Sequence, residues 1–381
     1  MGHFILKHSW FVLCYIIRFF GIYPLQRDGE TGIILTSTCK FWLRYICTLL
    51  FAAFLHGSVH LYVYVVKEIN PIMFLNAAMG KTMSKSGIDK LVIVFIPSVF
   101  LFMHIVSIAK LRTLAKGICI IQQNGSKNAQ INEKALEEKT KNSLLKVSFY
   151  IILLQSGVLL ITIGAMKQVH SGINISELVT NAYIITYLAY NFVTLAPTLT
   201  FVIIYFNLTN FLYIWCDEIM NNKSDDNLLQ KAKHFIEELN NIAQHFAHFL
   251  FWIISINQVV VIFLGYITIS VFISEELKHW ETICVFVGFV LFDLALIFGT
   301  FILCHTSESL ANKVQELKKV ILNIEFQTGQ SNAVFLKLDE FQGFIANGYF
   351  TLNHSLITSL TTNFLTFLVI LVQFKQTESS N

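Results

Sequence analysis

Charged residues and proline are both scarce in this chain of 381 residues. Asp, Glu, Lys and Arg together make up 13% of it, against about 25% in soluble domains. The small net charge of +3 gives no indication of nucleic-acid binding. With only 4 prolines, the chain shows no clear sign of the broken helices that many transporters use. Hydrophobic residues make up 55% of the chain, and phenylalanine alone occurs 35 times. This composition predicts a membrane protein.

The motifs of enzymes, cofactor-binding folds and metal sites are also missing. No GxSxG, HExxH, Walker loop or GxGxxG occurs, and the seven cysteines show neither a CxxC pair nor zinc spacing. His56 and His60, like His245 and His248, are spaced so that both rings share a helix face, but no third ligand is near them in the sequence. Packing roles are therefore favoured, and we expect no catalytic activity, no cofactor and no metal.

Charge-poor apolar runs predict an all-α membrane protein with seven transmembrane helices. Each run is long enough to cross the hydrocarbon core, for which about 20 helical residues suffice. Arg44 lies near the start of the first run and Asp293 lies within the sixth. The shorter run Ser9–Leu25 contains Arg18 and lacks a cleavage site, so we expect an interfacial or re-entrant helix there rather than a signal peptide. The seven runs are 41–66, 91–110, 147–167, 178–206, 247–273, 282–305 and 347–374.

The distribution of Lys and Arg predicts the orientation of the chain. With seven spans, 20 of these residues fall on the side of the N-terminus and 7 on the other side. The positive-inside rule then places the N-terminus in the cytosol and the C-terminus outside, which is the reverse of a G-protein-coupled receptor. Asn174 begins an Asn-Ile-Ser sequon in a predicted outer loop, where it is a candidate glycosylation site. A multi-pass protein of the plasma membrane is expected.

Apolar stripes at helical spacing predict that several spans continue into the cytosol. One stripe runs through 228–250, a second through 310–324 and a third through 334–345. Such faces must pack on something, so we expect a cytosolic anchor bundle that subunits share. The expected organisation is a cytosolic N-terminal segment (1–40), transmembrane helices one to four (41–206), anchor helices (207–246), transmembrane helices five and six (247–305), anchor helices (306–346), the last transmembrane helix (347–374) and an external tail (375–381).

The last predicted helix carries polar residues that a simple lipid anchor would not need. No charged residue occurs from Phe341 to Phe374. Polar groups at membrane depth are costly unless they face protein or water. One face of this helix is therefore expected to look into a bundle or a pore. The polar residues are Asn347, Asn353, His354, Asn363, Thr366 and Gln373.

The C-terminal sequence TFLVILVQF, Thr366–Phe374, resembles the TYhhhhhQF ending of insect gustatory receptors, in which h is apolar. Phe367 replaces the family's tyrosine, which removes only a hydroxyl. Upstream, Ala346–Phe350 looks like the family's preceding segment. Phe20–Leu25, with the sequence FGIYPL, is similar to its N-terminal phenylalanine-glycine-proline signature. The number of spans, the cytosolic N-terminus and the chain length agree with that family, which is related to the insect odorant receptors.

This resemblance implies a ligand-gated, non-selective cation channel. The family's members look like homo- or heterotetramers of gustatory receptor subunits, with a central pore lined by the seventh helix of each subunit. The expected partners are a small-molecule tastant (a sugar or a bitter compound), permeating cations and membrane lipid, with no nucleic acid. By the same resemblance the protein belongs in the dendrite membrane of a sensory neuron.

Four residues of the last helix are the candidate pore and gate. Ile370, Gln373 and Phe374 share a helix face that Phe367 continues. Four copies of an apolar ring at Ile370 and Phe374 would close a pore by dewetting, and four Gln373 amides would replace part of a cation's hydration shell. No Asp or Glu lies on this face, so strong divalent selectivity is not expected. The alternative is that Gln373 is only a polar residue at the outer interface.

The outer halves of the spans supply the candidates for a ligand pocket. Aromatic rings with a few amides or hydroxyls hold small ligands well. Tyr and Trp also gather at bilayer interfaces, so a role there is the alternative for the aromatic candidates. For Asp293 the alternative to ligand binding is a role in helix packing. The candidates are Tyr183, Tyr187, Tyr190 and Asn191 in the fourth span, Gln258 and Tyr266 in the fifth, and Trp280 and Asp293 in and beside the sixth.

Two other functions compete with a channel. A metabotropic seven-helix receptor is disfavoured by the charge asymmetry and by a last span without an NPxxY motif. A transporter would be supported by inverted repeats and broken helices, and neither is clear in the sequence.

Overall fold

The computed structural model describes residues 25–26, 34–35, 38–67, 133–172, 177–221, 228–273, 279–328 and 341–380. This part of the chain is nearly all helical, as predicted. The second predicted span (91–110), most of the segment 1–40 and Asn174 lie outside the described residues. Two short antiparallel ribbons join β1 (Leu25–Gln26) to β2 (Ile34–Leu35) and β3 (Ile345–Ala346) to β4 (Phe350–Thr351). The helices are α1 (Thr38–Lys67), α2 (Glu133–Gly172), α3 (Glu177–Asn221), α4 (Leu228–Ile273), α5 (Trp280–Thr328) and α6 (His354–Ser380).

Helices α3, α4 and α5 are much longer than the spans predicted within them. They contain 45, 46 and 49 residues, so each is about 70 Å long and extends far beyond a hydrocarbon core of about 30 Å. The predicted cytosolic extensions are therefore helical. Helix α3 continues to residue 221, α4 begins at residue 228 and α5 continues to residue 328. Among the described residues, four stretches are apolar and long enough to cross a membrane: Glu138–Lys167, Leu228–Ser270, Trp280–Asn323 and His354–Phe374. The chain has the composition and helices of a multi-pass membrane protein.

The stripes on α4 and α5 are buried within a single chain. Every position of the α4 stripe is buried, with Phe235 and Phe246 completely so. Leu310, Val314 and Leu317 on α5 are completely buried as well. These faces belong to one hydrophobic core that runs through α2, α3, α4 and α5. The expectation that they are shared between subunits is therefore not needed to explain them.

An aromatic cluster fixes the extended ends of α3, α4 and α5 against the segment that precedes α6. The Tyr205 ring on α3 lies 5.2 Å from the Phe246 ring on α4 and 5.6 Å from the Phe344 ring, centre to centre. The Tyr205 hydroxyl donates a hydrogen bond to the Leu303 carbonyl of α5 at 3.0 Å. The Phe344 amide donates to Ser307 Oγ at 2.9 Å. The start of α6 is thus anchored to α5 through buried polar contacts.

The predicted last span begins seven residues too early. Residues 345–351 form the β3–β4 hairpin, and α6 begins only at His354. Asn347 and Gly348 have φ angles of 51° and 82°, and the Tyr349 amide donates to the Ala346 carbonyl at 3.0 Å. Positive φ at both central residues is what a type I′ turn requires, and Asn-Gly is its commonest sequence. The turn breaks the helix that hydropathy alone suggests.

The third predicted stripe, in 334–345, is not a helix at its C-terminal end, because the hairpin begins there. Phe341 and Ile345 are not helical, because the chain bends before the hairpin and Ile345 starts β3. Phe341 is still buried, but Ile345 is exposed. The remaining stripe residues, 334 and 338, lie outside the described range. At its other end, α6 continues beyond Phe374 through the polar tail to Ser380.

A charged cluster joins the extended ends of α2, α3 and α5. Lys139 Nζ on α2 lies over the Tyr213 ring of α3. Lys313 Nζ on α5 lies 2.7 Å from Asp217 Oδ1 on α3 and 3.1 Å from Glu316 Oε2 on its own helix. Asp217 and Glu316 balance the charge of Lys313, and the contact of Lys139 with Tyr213 joins α2 to the same cluster.

Helices α2 and α5 approach closely at glycines. A Cβ atom added to Gly157 would lie 2.8 Å from the Gly288 carbonyl oxygen and 2.9 Å from the Phe292 amide nitrogen. One added to Gly288 would lie 2.7 Å from the Ile161 amide nitrogen. Small residues at a helix crossing allow backbones to touch, which is a main source of helix association in lipid.

Gly157→Ala should destabilise this crossing. The methyl group meets backbone atoms, which cannot rotate away, and overpacking of this kind costs about 1–3 kcal/mol. A lower melting temperature of the detergent-purified protein is the expected result. Gly57→Ala on α1 is the matched control, because a Cβ at Gly57 meets nothing within 4 Å. Equal melting temperatures for the two variants would contradict the close α2–α5 contact.

Candidate functional site

Helix α6 is the least buried of the four apolar stretches that are long enough to cross a membrane among the described residues. Leu365, Phe367, Val369, Ile370 and Phe374 are all exposed. Its buried side is narrow and faces α4 and α5, with Leu356 and Leu368 as its most buried side chains. A helix with this much exposed surface must meet lipid, water or another chain.

One exposed face of α6 is polar along most of its length. At about 100° per residue, positions 355, 359, 362, 366, 370 and 373 follow one another at steps of three or four and form a single stripe. All six are exposed. We call this the α6 stripe: Ser355, Ser359, Thr362, Thr366, Ile370 and Gln373. Leu365 lies roughly a quarter turn away from it.

The hydroxyls of the α6 stripe present oxygen lone pairs outward. Ser359 donates its hydrogen to the Ser355 carbonyl at 3.1 Å, Thr362 to the Thr358 carbonyl at 3.0 Å and Thr366 to the Thr362 carbonyl at 2.9 Å. Because each hydrogen is used within the helix, the side-chain oxygens remain acceptors on the exposed side. Neutral oxygens of this kind are suitable partners for a hydrated monovalent cation. Thr366 was predicted to be one of the polar residues of this helix, whereas the serines and Thr362 were not, although their helical spacing is visible in the sequence.

The four predicted pore and gate residues are all exposed on α6, but not on one line. Ile370 and Gln373 belong to the α6 stripe, and Ile370 is its only apolar member. Phe367 and Phe374 lie beside the stripe, toward the α4-facing side of the helix. Ile370 is thus the one apolar position in a polar stripe, and the two phenylalanine rings lie beside that stripe.

Helix α4 holds α6 at two points. Gln258 Nε2 donates a hydrogen bond to the Leu360 carbonyl oxygen of α6 at 2.9 Å. At Gly265 the Phe364 ring packs so closely that an added Cβ would lie 2.7 Å from its Cε2 atom. Gln258 was predicted to line a ligand pocket, but the structure assigns its amide to the backbone of α6.

Three of the predicted pocket residues surround His56, which was not predicted to be part of the pocket. The His56 ring on α1 lies 4.9, 5.3 and 5.8 Å from the ring centres of Tyr183, Tyr187 and Tyr190 on α3. We call these four residues the aromatic cage. The tyrosines share a helix face, as their spacing predicted, and the cage joins α1 to α3.

A hydrogen bond orients His56 in the aromatic cage. Its Nδ1 lies 3.4 Å from Thr186 Oγ1, and the Thr186 hydroxyl donates its own hydrogen to the Ala182 carbonyl at 2.9 Å. Which of the two atoms donates in this contact depends on the tautomer of the imidazole. Asn191 lies one turn beyond Tyr187 and donates weakly to its carbonyl at 3.5 Å. The partners of His56 were not predictable, because they lie on α3, about 130 positions later in the chain.

The remaining predicted pocket residues have different surroundings. Tyr266 on α4 is completely buried in the core, and Trp280 is 60% exposed at the first position of α5. Asp293 lies in the middle of α5, and its Oδ1 atom is buried without a hydrogen-bond partner among the described residues. A buried, unsatisfied carboxyl oxygen is costly, so Asp293 stays a candidate for contact with a polar group.

No group of three His, Cys, Asp or Glu side chains is arranged to hold a metal ion in the part of the chain that the structure describes. His245 and His248 lie on α4, where His248 is exposed and His245 is partly buried. The candidate site thus consists of an exposed helix with a polar stripe, its contacts with α4, and the aromatic cage.

Comparison with known proteins identifies the fold. No protein-family model matches the chain, and no curated protein matches it. Solved structures do match, among them the insect olfactory receptor OR5 from Machilis hrabei, with a TM-score of 0.60, and the same receptor in complex with eugenol, with a TM-score of 0.65. Each is 12% identical to this chain, and each match covers 98% of this chain and 100% of the other. The chain therefore has the fold of an insect olfactory receptor.

Proposed function

We propose that this protein is an insect gustatory receptor: a tastant-gated, non-selective cation channel that assembles as a tetramer in the plasma membrane around a pore lined by α6. The α6 stripe is the observation that carries this proposal. The fold of an olfactory receptor that has been solved with a small odorant, eugenol, supports the chemoreceptor part of it. The C-terminal resemblance to gustatory receptors supports taste over smell.

The α6 stripe supports conduction because it combines exposure, polarity and neutrality. Exposed serine and threonine oxygens at membrane depth would be unfavourable against lipid, but they suit a water-filled pore. The absence of Asp and Glu from the stripe suits weak selectivity among cations. Four copies of α6 around one axis would bring four such stripes together and would also cover the helix's exposed apolar residues.

The aromatic cage supports a ligand site separate from the pore. Its rings offer apolar and stacking contacts, and its hydroxyls and imidazole offer hydrogen bonds, which is the usual mixture of a small-molecule site. Ligand needs only to bind the open arrangement more tightly than the closed one to shift the channel toward conduction. Tyr183, Tyr187 and Tyr190 are the proposed contacts, with Asn191, Tyr266, Trp280 and Asp293 as outlying candidates.

The decisive experiment is electrical recording from cells that express this chain alone, with a panel of sugars and bitter compounds. A channel should give ligand-evoked cation current in excised patches without nucleotide or G protein. Current that appears only with a G-protein pathway intact would favour a metabotropic receptor. Uptake of the ligand itself without channel-like current would favour a transporter.

Orientation and assembly have their own tests. An N-terminal tag should be inaccessible on intact cells and a C-terminal tag accessible, and the reverse would contradict the proposed topology. In mild detergent the purified protein should migrate as a tetramer, held by contacts that include α6. A monomer under all conditions would contradict the pore, because one α6 stripe cannot enclose a path for ions.

Gly265→Ala should change gating without changing ion selectivity. The added methyl group meets the Phe364 ring, so this ring must move and the contact between α4 and α6 changes, while the α6 stripe itself is unaltered. We expect a displaced ligand dose–response curve. Shortening the partner as well, in Gly265→Ala/Phe364→Leu, should restore much of the wild-type behaviour, as coupled neighbours do in a double-mutant cycle. Additive effects of the two substitutions would contradict a direct contact.

A further inference from the structure

We propose that His305 and His354 form a binding site for a divalent transition-metal ion of the Zn²⁺ class, bridging α5 and the first residue of α6. His305 Nδ1 lies 3.4 Å from His354 Nε2, and the two rings are 5.5 Å apart, centre to centre. Two nitrogens at Zn–N distances of about 2.0–2.1 Å in a tetrahedral site are separated by about 3.4 Å. The observed gap fits that separation and exceeds the usual hydrogen-bond length of about 2.9–3.0 Å.

Glu308 prepares His354 for this role. Its Oε2 atom lies 2.7 Å from His354 Nδ1 and also accepts the His354 backbone amide at 2.7 Å. With a hydrogen on Nδ1, the lone pair of the neutral ring is on Nε2, the atom that faces His305. A carboxylate that holds the other nitrogen of a ligating histidine is the common second layer of zinc sites. Glu308 is therefore a positioning residue.

The remaining ligands would be water molecules. Both histidines are exposed, and they line a cleft of about 220 Å³ together with Glu308, Asn312 and Glu316. Imidazole suits Zn²⁺, Cu²⁺ and Ni²⁺. Lys313 also lines the cleft but is paired with Asp217 and Glu316, so Glu308 is the carboxylate that lies directly beside the histidines. With two protein ligands, the site is consistent with the lack of any three-residue metal cluster among the described residues. The sequence did not suggest it because the two histidines are 49 residues apart.

Such an ion would fasten the start of α6 to α5. His354 is the first residue of α6, and His305 lies on α5 near the Ser307 contact with the hairpin segment. A bridge there would restrain movement of α6 relative to the bundle. The site does not depend on the proposed channel activity, because it consists only of contacts within one chain.

The test measures the melting temperature of the whole purified protein in detergent against added ZnCl₂. The wild type should melt at a higher temperature as Zn²⁺ increases, and EDTA should reverse the shift. His305→Gln and His354→Gln should lose the shift, because glutamine can keep a hydrogen bond but is a poor metal ligand. Glu308→Gln should weaken Zn²⁺ binding by about 10- to 100-fold. The metal-free melting temperatures show whether each variant is folded.

His248→Gln is the matched control, since His248 is an exposed histidine of the His245–His248 pair on α4, and it should keep the full shift. Absence of any Zn²⁺ effect on the wild type would overturn the proposal and leave an ordinary hydrogen bond between the two rings. An equal Zn²⁺ shift in all variants would overturn it too, by placing the ion elsewhere. Either result would leave the proposed channel function intact, because this measurement does not involve conduction.

Discussion

Ile370→Ser should produce a channel that conducts without ligand. Ile370 is the only apolar residue of the α6 stripe, with Thr366 one turn before it and Gln373 three residues after it. Four isoleucine side chains around an axis would exclude water from a narrow pore, because hydrating a tight apolar ring is unfavourable. A serine at this position continues the line of hydroxyls, so the constriction would fill with water and admit cations. A raised basal current that pore blockers remove is the expected result.

The matched control for this prediction is Leu365→Ser. Leu365 is on the same helix, is also exposed, and undergoes a similar change in polarity, but it lies off the α6 stripe. It should leave the basal current near the wild-type level. A leak from Leu365→Ser and none from Ile370→Ser, at matched surface expression, would place the pore on a different face of α6.

The same geometry separates the roles of the neighbouring gate candidates. Gln373→Ala removes an amide from the α6 stripe, so it should alter relative permeability or gating more than ligand potency. Phe374→Ala should raise the basal current less than Ile370→Ser does, because Phe374 lies beside the stripe. A larger leak from Phe374→Ala than from Ile370→Ser would assign the main constriction to the phenylalanine ring.

The buried faces of the helices were predictable where the apolar residues kept a helical spacing over many turns. The α4 stripe, from Leu228 to Phe249, is buried at every predicted position because a helix repeats its faces faithfully over such a length. The helical fold class followed from composition and run length. The span that begins at 347 was misplaced, because hydropathy averages over Asn347 and Gly348, while the backbone responds to that pair with a tight turn. The Asn-Gly signal was present in the sequence and was outweighed by the apolar residues around it.

Side-chain partners between helices were much less predictable. The tyrosine spacing on α3 showed that three rings share a face, but it could not show that His56, about 130 positions earlier, lies among them. Gln258 illustrates the same limit. The sequence shows an amide within an apolar span, but not that its Nε2 atom donates to the Leu360 carbonyl of α6. A sequence gives the faces of a helix, and the crossing of helices decides which faces meet.

Tyr187→Leu should reduce ligand potency by tenfold or more while basal current and ion selectivity stay unchanged. Tyr187 stacks on Tyr183, with ring centres 6.1 Å apart, and lies 5.3 Å from the His56 ring. Losing an aromatic contact costs about 0.5–1.5 kcal/mol, and losing a buried hydrogen-bond partner costs about 1–3 kcal/mol. Since 1.4 kcal/mol is a factor of ten in affinity, the two losses together exceed tenfold. The measurement is the dose–response curve for an active compound of the tastant panel.

Two further variants decide how the aromatic cage acts. Tyr187→Phe keeps the ring and removes the hydroxyl, so a near-normal curve would assign the contact to stacking and a weakened one to hydrogen bonding. Ile185→Ala is the control, because Ile185 lies between Tyr183 and Tyr187 in sequence but is exposed on the other side of α3, and it should leave potency unchanged. His56→Ala should weaken the ligand as well, since the imidazole fixes the tyrosine rings against α1. Unchanged potency in Tyr183→Leu, Tyr187→Leu and His56→Ala, with normal surface expression, would show that ligand binds elsewhere, because no site formed by these rings could lose three of its walls without weakening.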